Sequence, residues 1–155
     1  MNVNVIFVGN LKESYYKEAV AEYEKRLSRY CKVRNIEIKE EKIPNEPNAG
    51  EINSALCAEG KRILAALPEK SYRIALCVEG EACSSEQLAG VIGACHSDVT
   101  FVIGGSYGLS DEVKKRCDKR ISVSKMTFPH RLMRVILAEQ IYRAFTINAG
   151  AEYHK

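Results

Sequence analysis

The chain has 155 residues, and its 23 basic and 20 acidic side chains leave a net charge of only +3. Apolar residues make up 46% of it and charged residues 28%, the proportions of an ordinary globular protein. This length predicts a single domain, 1–155, and no stretch approaches the roughly 20 apolar residues of a membrane span. Because the amino terminus lacks the basic start and cleavage site of a signal peptide, we expect a cytoplasmic protein.

Strand and helix patterns alternate along the chain. Strands are predicted where β-branched and apolar residues run together, at 3–9, 33–38, 72–78, 99–103 and 121–124. Helices are predicted where apolar residues recur at helical spacing, at 14–29, 51–67, from 84 or 85 to 94, from a cap at 110 to 120, and 129–147. The second strand is more polar than the others, which places it nearer a sheet edge. Two prolines and two asparagines predict a loop over 43–50.

The helix ends carry their own signals. Ser14 and Ser110 are predicted to be N-caps, and Pro129 suits a first helical turn. In the fourth helix, acidic residues in the first turn and Lys119 and Arg120 in the last match the helix dipole. Repeated β-α units without a break in composition predict an α/β fold, with a mostly parallel sheet and helices on both faces.

Six cysteines are spread along the chain without a Cys-x-x-Cys pair or a histidine at zinc-ligand spacing. Cys77 and Cys95 fall within or beside apolar segments and are predicted to be small core residues. The pattern indicates free, buried or half-buried thiols in a reducing compartment, and it predicts neither a metal site nor a disulfide framework.

A glycine-rich loop, 104–109, follows the apolar strand 99–103 directly. Residues with little or no side chain let the backbone approach a ligand, and open α/β sheets hold small molecules at the carboxyl ends of their strands. The loop matches neither the phosphate-binding P-loop nor the dinucleotide fingerprint. Gly104, Ser106 and Gly108 stand at Gly-x-Ser-x-Gly spacing, so a serine hydrolase with Ser106 as nucleophile and His130 or His154 as base is an alternative.

Basic residues are unevenly distributed. One cluster lies within 114–120 and, taken alone, indicates a solvated helix face. Further cations gather near the glycine loop in sequence, namely Lys125, His130, Arg131, Arg134, Arg143 and Lys155. A basic patch beside a ligand site favours an anionic partner, so a non-catalytic module that binds RNA is a second alternative.

Three carboxy-terminal motifs occur in order: Ile103-Gly104-Gly105, Thr127-Phe128-Pro129-His130 and Tyr142-Arg143-Ala144. The chain then ends in Tyr153-His154-Lys155. With these motifs the sequence closely resembles, over essentially its whole length, the SPOUT-class methyltransferases of the RlmH type. Those enzymes methylate N3 of a pseudouridine in 23S ribosomal RNA.

The resemblance implies a carboxy-terminal trefoil knot, an exception to the rule against knotted chains, and a homodimer acting on ribosomal RNA in the large subunit or the assembled ribosome. It also implies S-adenosylmethionine as methyl donor. Carried over residue by residue, the implied cofactor site consists of Leu76, Gly105, Val123, Ser124, Lys125, Met126, Thr127 and Phe128.

The implied catalytic residues are Arg143 on the last helix and the tail residues Tyr153, His154 and Lys155. His154 is the candidate base for the N3 proton, since imidazole titrates near neutral pH. Alternatively, Arg143 and Lys155 stabilise the deprotonated base without a dedicated proton acceptor. Tyr153 is placed to stack on the displaced base. Some relatives end in arginine where this chain has Lys155, and lysine cannot replace a bidentate arginine contact.

Overall fold

In a computed structural model that describes residues 1–155, five strands and five helices alternate as the sequence predicts. Their bounds in chain order are β1 Asn2–Val8, α1 Ser14–Leu27, β2 Lys32–Ile38, α2 Ala49–Ala66, β3 Ser71–Ala82, α3 Ser85–Ala94, β4 Asp98–Ile103, α4 Asp111–Arg116, β5 Lys119–Ser122 and α5 His130–Asn148. The strands form one sheet in the order β2-β1-β4-β3-β5, and every neighbouring pair is parallel. The predicted parallel sheet and the edge position of β2 are confirmed.

Helices cover both faces of this sheet, as predicted. Side chains alternate across a strand, so Val5 and Phe7 of β1 enter one core while Ile6 and Val8 enter the other. The first core lies under α1, α3 and α5, and the second lies under α2 and α4. Because α3 leaves β3 toward one face and α4 leaves β4 toward the other, a crevice opens beyond the carboxyl ends of these two strands.

Two predicted helix starts are wrong by one or two residues. Helix α1 is capped by Glu13, whose carbonyl accepts bonds from the Tyr16 and Lys17 amides at 3.2 Å, so Ser14 is already helical and makes no cap. Helix α2 begins at Ala49 because Asn48 forms a capping box with Glu51. The last two residues of the predicted loop 43–50 therefore belong to the helix.

The predicted boundary between the fourth helix and the fifth strand is also wrong. Helix α4 ends at Arg116, and Lys119 and Arg120 belong to β5. The cause is Asp118, whose backbone amide donates to the Arg73 carbonyl at 2.8 Å and whose carboxylate accepts from the Arg73 amide at 2.7 Å. These bonds join the chain to β3 three residues before Ile121, where the apolar pattern of β5 begins.

Smaller differences concern β3, Pro129 and the cysteines. Strand β3 continues to Ala82, past a register shift against β5 between Leu76 and Glu81. Pro129 is the N-cap of α5 instead of its first helical residue. Cys77 and Cys95 are half-buried instead of core residues, whereas Cys31 is buried and Cys57 is exposed.

Candidate active site

A cleft of about 330 Å³ lies at the carboxyl ends of β4 and β5, beside residues 76–79 in the middle of β3. Its walls come from three segments, namely residues 76–79, 103–109 and 121–128, with side chains of α4 and α5 at its edges. The glycine loop and the segment before α5, which are separated in sequence by residues 110–121, therefore face one space. The lining is mixed, with aliphatic and aromatic side chains beside serine and threonine hydroxyls.

The glycine loop is shaped by close backbone contacts. A Cβ atom on Gly104 would overlap the backbone carbonyl of Gly108, and Gly108 has a φ of +86°. The Gly108 amide donates to the Gly105 carbonyl at 3.1 Å and closes the turn. Both Gly104 and Gly108 are therefore required by the local geometry, since an L side chain fits neither the space nor the dihedral angle.

The segment that faces the glycine loop, 122–128, is held by its own serines. The Ser122 hydroxyl donates to the Ser124 carbonyl at 3.0 Å, and the Ser124 hydroxyl accepts from the Met126 amide at 3.0 Å. The turn leaves large apolar side chains in solvent: Met126 is 74% exposed and Val123 is 36% exposed. Exposed apolar groups around a concave lining are typical of a site that a ligand or partner covers.

The structure brings together seven of the eight cofactor residues that the resemblance implied. Six of these seven belong to the strand ends and to the 122–128 segment, and Gly105 belongs to the glycine loop; the seven are Leu76, Gly105, Val123, Ser124, Met126, Thr127 and Phe128. The eighth, Lys125, is exposed and does not line the cleft. A Cβ on Gly105 would meet Val8 at 3.3 Å, so that side of the glycine faces β1.

His130 is a cleft residue that the sequence analysis did not place in the cofactor or catalytic set. It is the first residue of α5 and lines the cleft, and its Nε2 atom is buried without a hydrogen-bond partner. Burial lowers the pKa of His130, and nearby Glu40 only partly offsets this. The signal in the sequence that could have identified His130 as a cleft residue was its place in the motif Thr127-Phe128-Pro129-His130.

Lys114 is a second cleft residue that the sequence analysis missed. The 114–120 cluster was interpreted as a solvated helix face, but the Lys114 side chain is only 16% exposed and forms an ion pair with Glu79 at the cleft edge. The hydrogen bond from Lys114 holds the pKa of Glu79 below its usual value. At least this member of the cluster therefore belongs to the site.

Three of the four implied catalytic residues, Arg143, Tyr153 and His154, form a separate cluster with Glu139 of α5 and Glu86 of α3, which we call the tail cluster. One Glu139 oxygen accepts from Arg143 Nε at 3.0 Å, from Arg143 Nη2 at 2.6 Å and from the Tyr153 hydroxyl at 3.2 Å. The hydrogen bond with Glu139 raises the pKa of Arg143, and burial raises that of Tyr153.

The tail is attached to its own chain by further contacts. The Tyr153 ring packs edge-on against Tyr142 at 4.7 Å between centroids, and the Arg143 guanidinium lies 4.8 Å from the Tyr153 ring centre. His154 is bonded to Arg143 and Glu86, whereas Lys155 is exposed. None of the four implied catalytic residues lines the cleft of the same chain.

The hydrolase alternative is not supported by this arrangement. Ser106 is exposed, His154 is bonded to Arg143 and Glu86, and Nε2 of His130 has no partner. A serine nucleophile needs a base within hydrogen-bond reach, and neither histidine provides one here.

No group of three or more histidine, cysteine, aspartate or glutamate side chains is arranged to hold a metal ion. No helix combines the length and the apolar composition needed to cross a bilayer.

The fold and the cleft define a parallel α/β protein with a cleft of small-molecule size at the carboxyl ends of its strands and a charged carboxy-terminal helix at the edge of that cleft. The family described as "Predicted SPOUT methyltransferase" matches residues 1–154, and the chain belongs to that family.

Curated relatives match over the full length of both chains. "Ribosomal RNA large subunit methyltransferase H" of Limosilactobacillus reuteri (strain DSM 20016) is 49% identical over 159 residues, and the protein of that name in Clostridium novyi (strain NT) is 53% identical over 161 residues; each match covers 100% of both chains. The resemblance stated from the motifs is confirmed.

Solved structures support the fold. A probable methylase family protein from Haemophilus influenzae Rd KW20 superposes with a TM-score of 0.60 at 10% identity, over 99% of this chain and 70% of that one. A probable methyltransferase from Bordetella pertussis Tohama I gives a TM-score of 0.56 at 13% identity, over 92% of this chain and 93% of that one.

Proposed function

We propose that this protein transfers a methyl group from S-adenosylmethionine to N3 of a pseudouridine in 23S ribosomal RNA, acting in the cytoplasm on the large subunit or the assembled ribosome as a homodimer. Full-length relatives at about half identity are named for methylation of large-subunit ribosomal RNA, which supports the RNA class. The proposal includes the carboxy-terminal trefoil knot that the family resemblance implies. The observation that carries it is the single cleft between the glycine loop and 122–128.

The cleft fits the methyl donor in size and chemistry. A volume of about 330 Å³ is within the range of small-molecule sites, roughly 300–1,000 Å³. Leu76, Met126 and Phe128 offer apolar surface for the faces of an adenine ring. The glycine loop leaves backbone N–H and C=O groups accessible to the ring edge. No metal is needed in this scheme.

S-adenosylmethionine supplies a methyl group already activated by the positive charge on its sulfur. The protein's task is to align N3 with that methyl group, exclude water and accept the N3 proton. As the proton leaves, the N3 electron pair forms the bond to carbon, and the carbon–sulfur pair remains on sulfur. His154 is the proposed proton acceptor, and Arg143 is the proposed donor of a hydrogen bond to a carbonyl oxygen beside N3.

The separation of the cleft from the tail cluster supports a homodimer. In one chain the tail residues bind to α3 and α5 and do not reach the cleft. Along α5, Leu132, Val135 and Ile136 lie at helical spacing and remain only half-buried. A second copy covering this strip would bring its own tail cluster toward the cleft, so that each active site uses residues of both chains.

Calorimetry with S-adenosylhomocysteine tests the cofactor site. Val123→Trp places a large ring on a cleft-lining residue that makes no side-chain hydrogen bond, and we expect it to weaken binding at least tenfold. Lys70→Trp adds the same ring at an exposed position before β3 that does not line the cleft, and binding should stay within about twofold. Equal losses in both variants would contradict the site.

Mass spectrometry of 23S ribosomal RNA tests the reaction. Ribosomes from cells lacking the gene should gain one methyl group on a pseudouridine when they are incubated with the protein and the donor. If the protein methylates free RNA but not ribosomes, the substrate is free RNA and not the ribosome. If the protein binds the donor but transfers no methyl group, the proposed reaction is wrong.

A further inference from the structure

Both ring nitrogens of His154 are engaged by charged partners. Nδ1 lies 3.1 Å from Arg143 Nη1, and Nε2 lies 2.7 Å from a Glu86 carboxylate oxygen. A guanidinium can only donate, so Nδ1 must accept and carries no proton. The carboxylate accepts, so Nε2 must carry the proton. The two contacts together select one neutral tautomer of His154.

We propose that Glu86 is a positioning residue for His154: it orients the imidazole through Nε2, leaves Nδ1 as the basic atom, and stabilises the positive charge that forms when Nδ1 takes the N3 proton. A carboxylate that orients a catalytic histidine in this way has its counterpart in the serine protease triad. The inference rests on the proposed function, because the proton acceptor is needed only if N3 is methylated.

The surrounding contacts indicate how the substrate would reach Nδ1. Arg143 donates to Glu139 through Nε and Nη2. Only its Nη1 amino group donates a hydrogen bond to Nδ1 of His154. An imide N3–H lies between two carbonyl groups. When it donates to Nδ1, the Nη1 group is free to donate to the adjacent carbonyl oxygen. The proton then passes from N3 to Nδ1, the imidazolium forms, and solvent later removes that proton.

Two charged groups bond directly to His154, namely Glu86 of α3 and Arg143 of α5. Arg143 is bonded in turn to Glu139 of α5, which also accepts a hydrogen bond from the Tyr153 hydroxyl of the tail. The Glu86 side chain is 63% exposed, so its influence is screened by solvent and decreases at high ionic strength.

A purely structural role, in which Glu86 only anchors the tail, makes different predictions. Glu86→Gln keeps an oxygen that accepts from Nε2 but removes the negative charge. An anchor would then be largely preserved, whereas charge stabilisation of the imidazolium would be lost. Glu112→Gln is the matched control, since Glu112 also lies in the first turn of its helix and makes no contact with the tail.

Methyl transfer to ribosomes is measured as kcat and KM between pH 5.5 and 9 for the wild-type protein, Glu86→Gln and Glu112→Gln. In Glu86→Gln we expect kcat to fall about tenfold on the plateau, the acid limb of kcat to move to lower pH, and KM for the donor to stay unchanged. Raising the salt concentration should reduce the difference. An unchanged pH profile, or the same loss in Glu112→Gln, overturns the inference.

Nitrogen-15 spectra of the imidazole rings test the tautomer without any reaction. The chain has three histidines, so His154→Ala assigns the signal. At pH 8.5 the His154 ring should carry its proton on Nε2 alone, and a proton on Nδ1 would contradict the geometry. If the wild-type protein shows this tautomer but no methyl transfer, the proposed function fails while the contact stands. If it is active but Glu86→Gln behaves as wild type, only the positioning role fails.

Discussion

The cleft and the tail cluster are built by different forces. At the cleft, Gly104 lies against the Gly108 carbonyl so closely that no side chain fits, and the walls are backbone and apolar groups. In the tail cluster, Glu139, Arg143 and His154 are held by charged hydrogen bonds of 2.6–3.1 Å. The cleft therefore depends on steric fit, and the tail depends on charge, protonation and salt.

The two histidines of these regions show the same contrast. Nε2 of His130 is buried in the cleft wall without a partner, and burial favours its neutral form. Both ring nitrogens of His154 are bound by charged groups at the surface of the molecule. Burial therefore favours the neutral form of His130, whereas His154 lies between the Arg143 guanidinium and the Glu86 carboxylate.

The largest effect is expected from Gly104→Ala, which tests the steric basis of the cleft. The added methyl group would overlap the Gly108 carbonyl, so the loop must move. We expect S-adenosylhomocysteine binding to be lost in calorimetry and the free energy of unfolding to fall by about 1–3 kcal/mol. The control is Gly90→Ala on α3, where a Cβ meets nothing within 4 Å. That variant should be as stable as the wild type or more stable; equal damage in both would contradict the comparison.

The second effect is expected from His154→Ala, which separates the two regions functionally. Removing the proposed base should lower kcat by about 10²–10⁴-fold, the usual contribution of acid–base catalysis. Binding of S-adenosylhomocysteine should be unchanged, since His154 does not line the cleft of its own chain. Steady-state methylation and calorimetry on the same preparation provide both numbers. Undiminished turnover would leave Arg143 and Lys155 as the stabilising groups.

The smallest effect is expected in the pH dependence of the free energy of unfolding, to which His130 in the cleft contributes. Burial lowers the pKa of His130 in the folded protein, so the unfolded chain takes up a proton at higher pH than the folded one. The free energy of unfolding should therefore decrease as the pH falls from the ordinary value of 6.5 toward the depressed one. Urea unfolding of His130→Phe should show a flatter dependence in that window.

His96→Phe is the control for this measurement, because His96 is exposed in the loop before β4. It should retain the acid sensitivity of the wild-type protein. If His130→Phe and the wild type lose stability equally below pH 6.5, the buried imidazole is not the group responsible.

Local patterns predicted the elements where hydrophobic periodicity was strong. The strands predicted from the apolar runs at 3–9 and 99–103 are confirmed as β1 and β4, and their two faces enter two separate cores. Boundaries were wrong where a contact between distant residues decided them. The bonds between Asp118 and Arg73, 45 positions apart, end the helical region before Lys119, and no local signal announces such a pair.

The same distinction holds for the site. The sequence alone determined the glycine loop, because a turn that brings two backbones into contact admits only glycine at Gly104, and the family motifs indicated the residues of 122–128. Only the tertiary structure showed that Lys114 pairs with Glu79, that His130 lines the cleft and that Glu86 meets His154. The physical reason is range: steric demands of the backbone are local and appear in the residue type, whereas an ion pair joins side chains from separate elements and exists only once the sheet has brought those elements together.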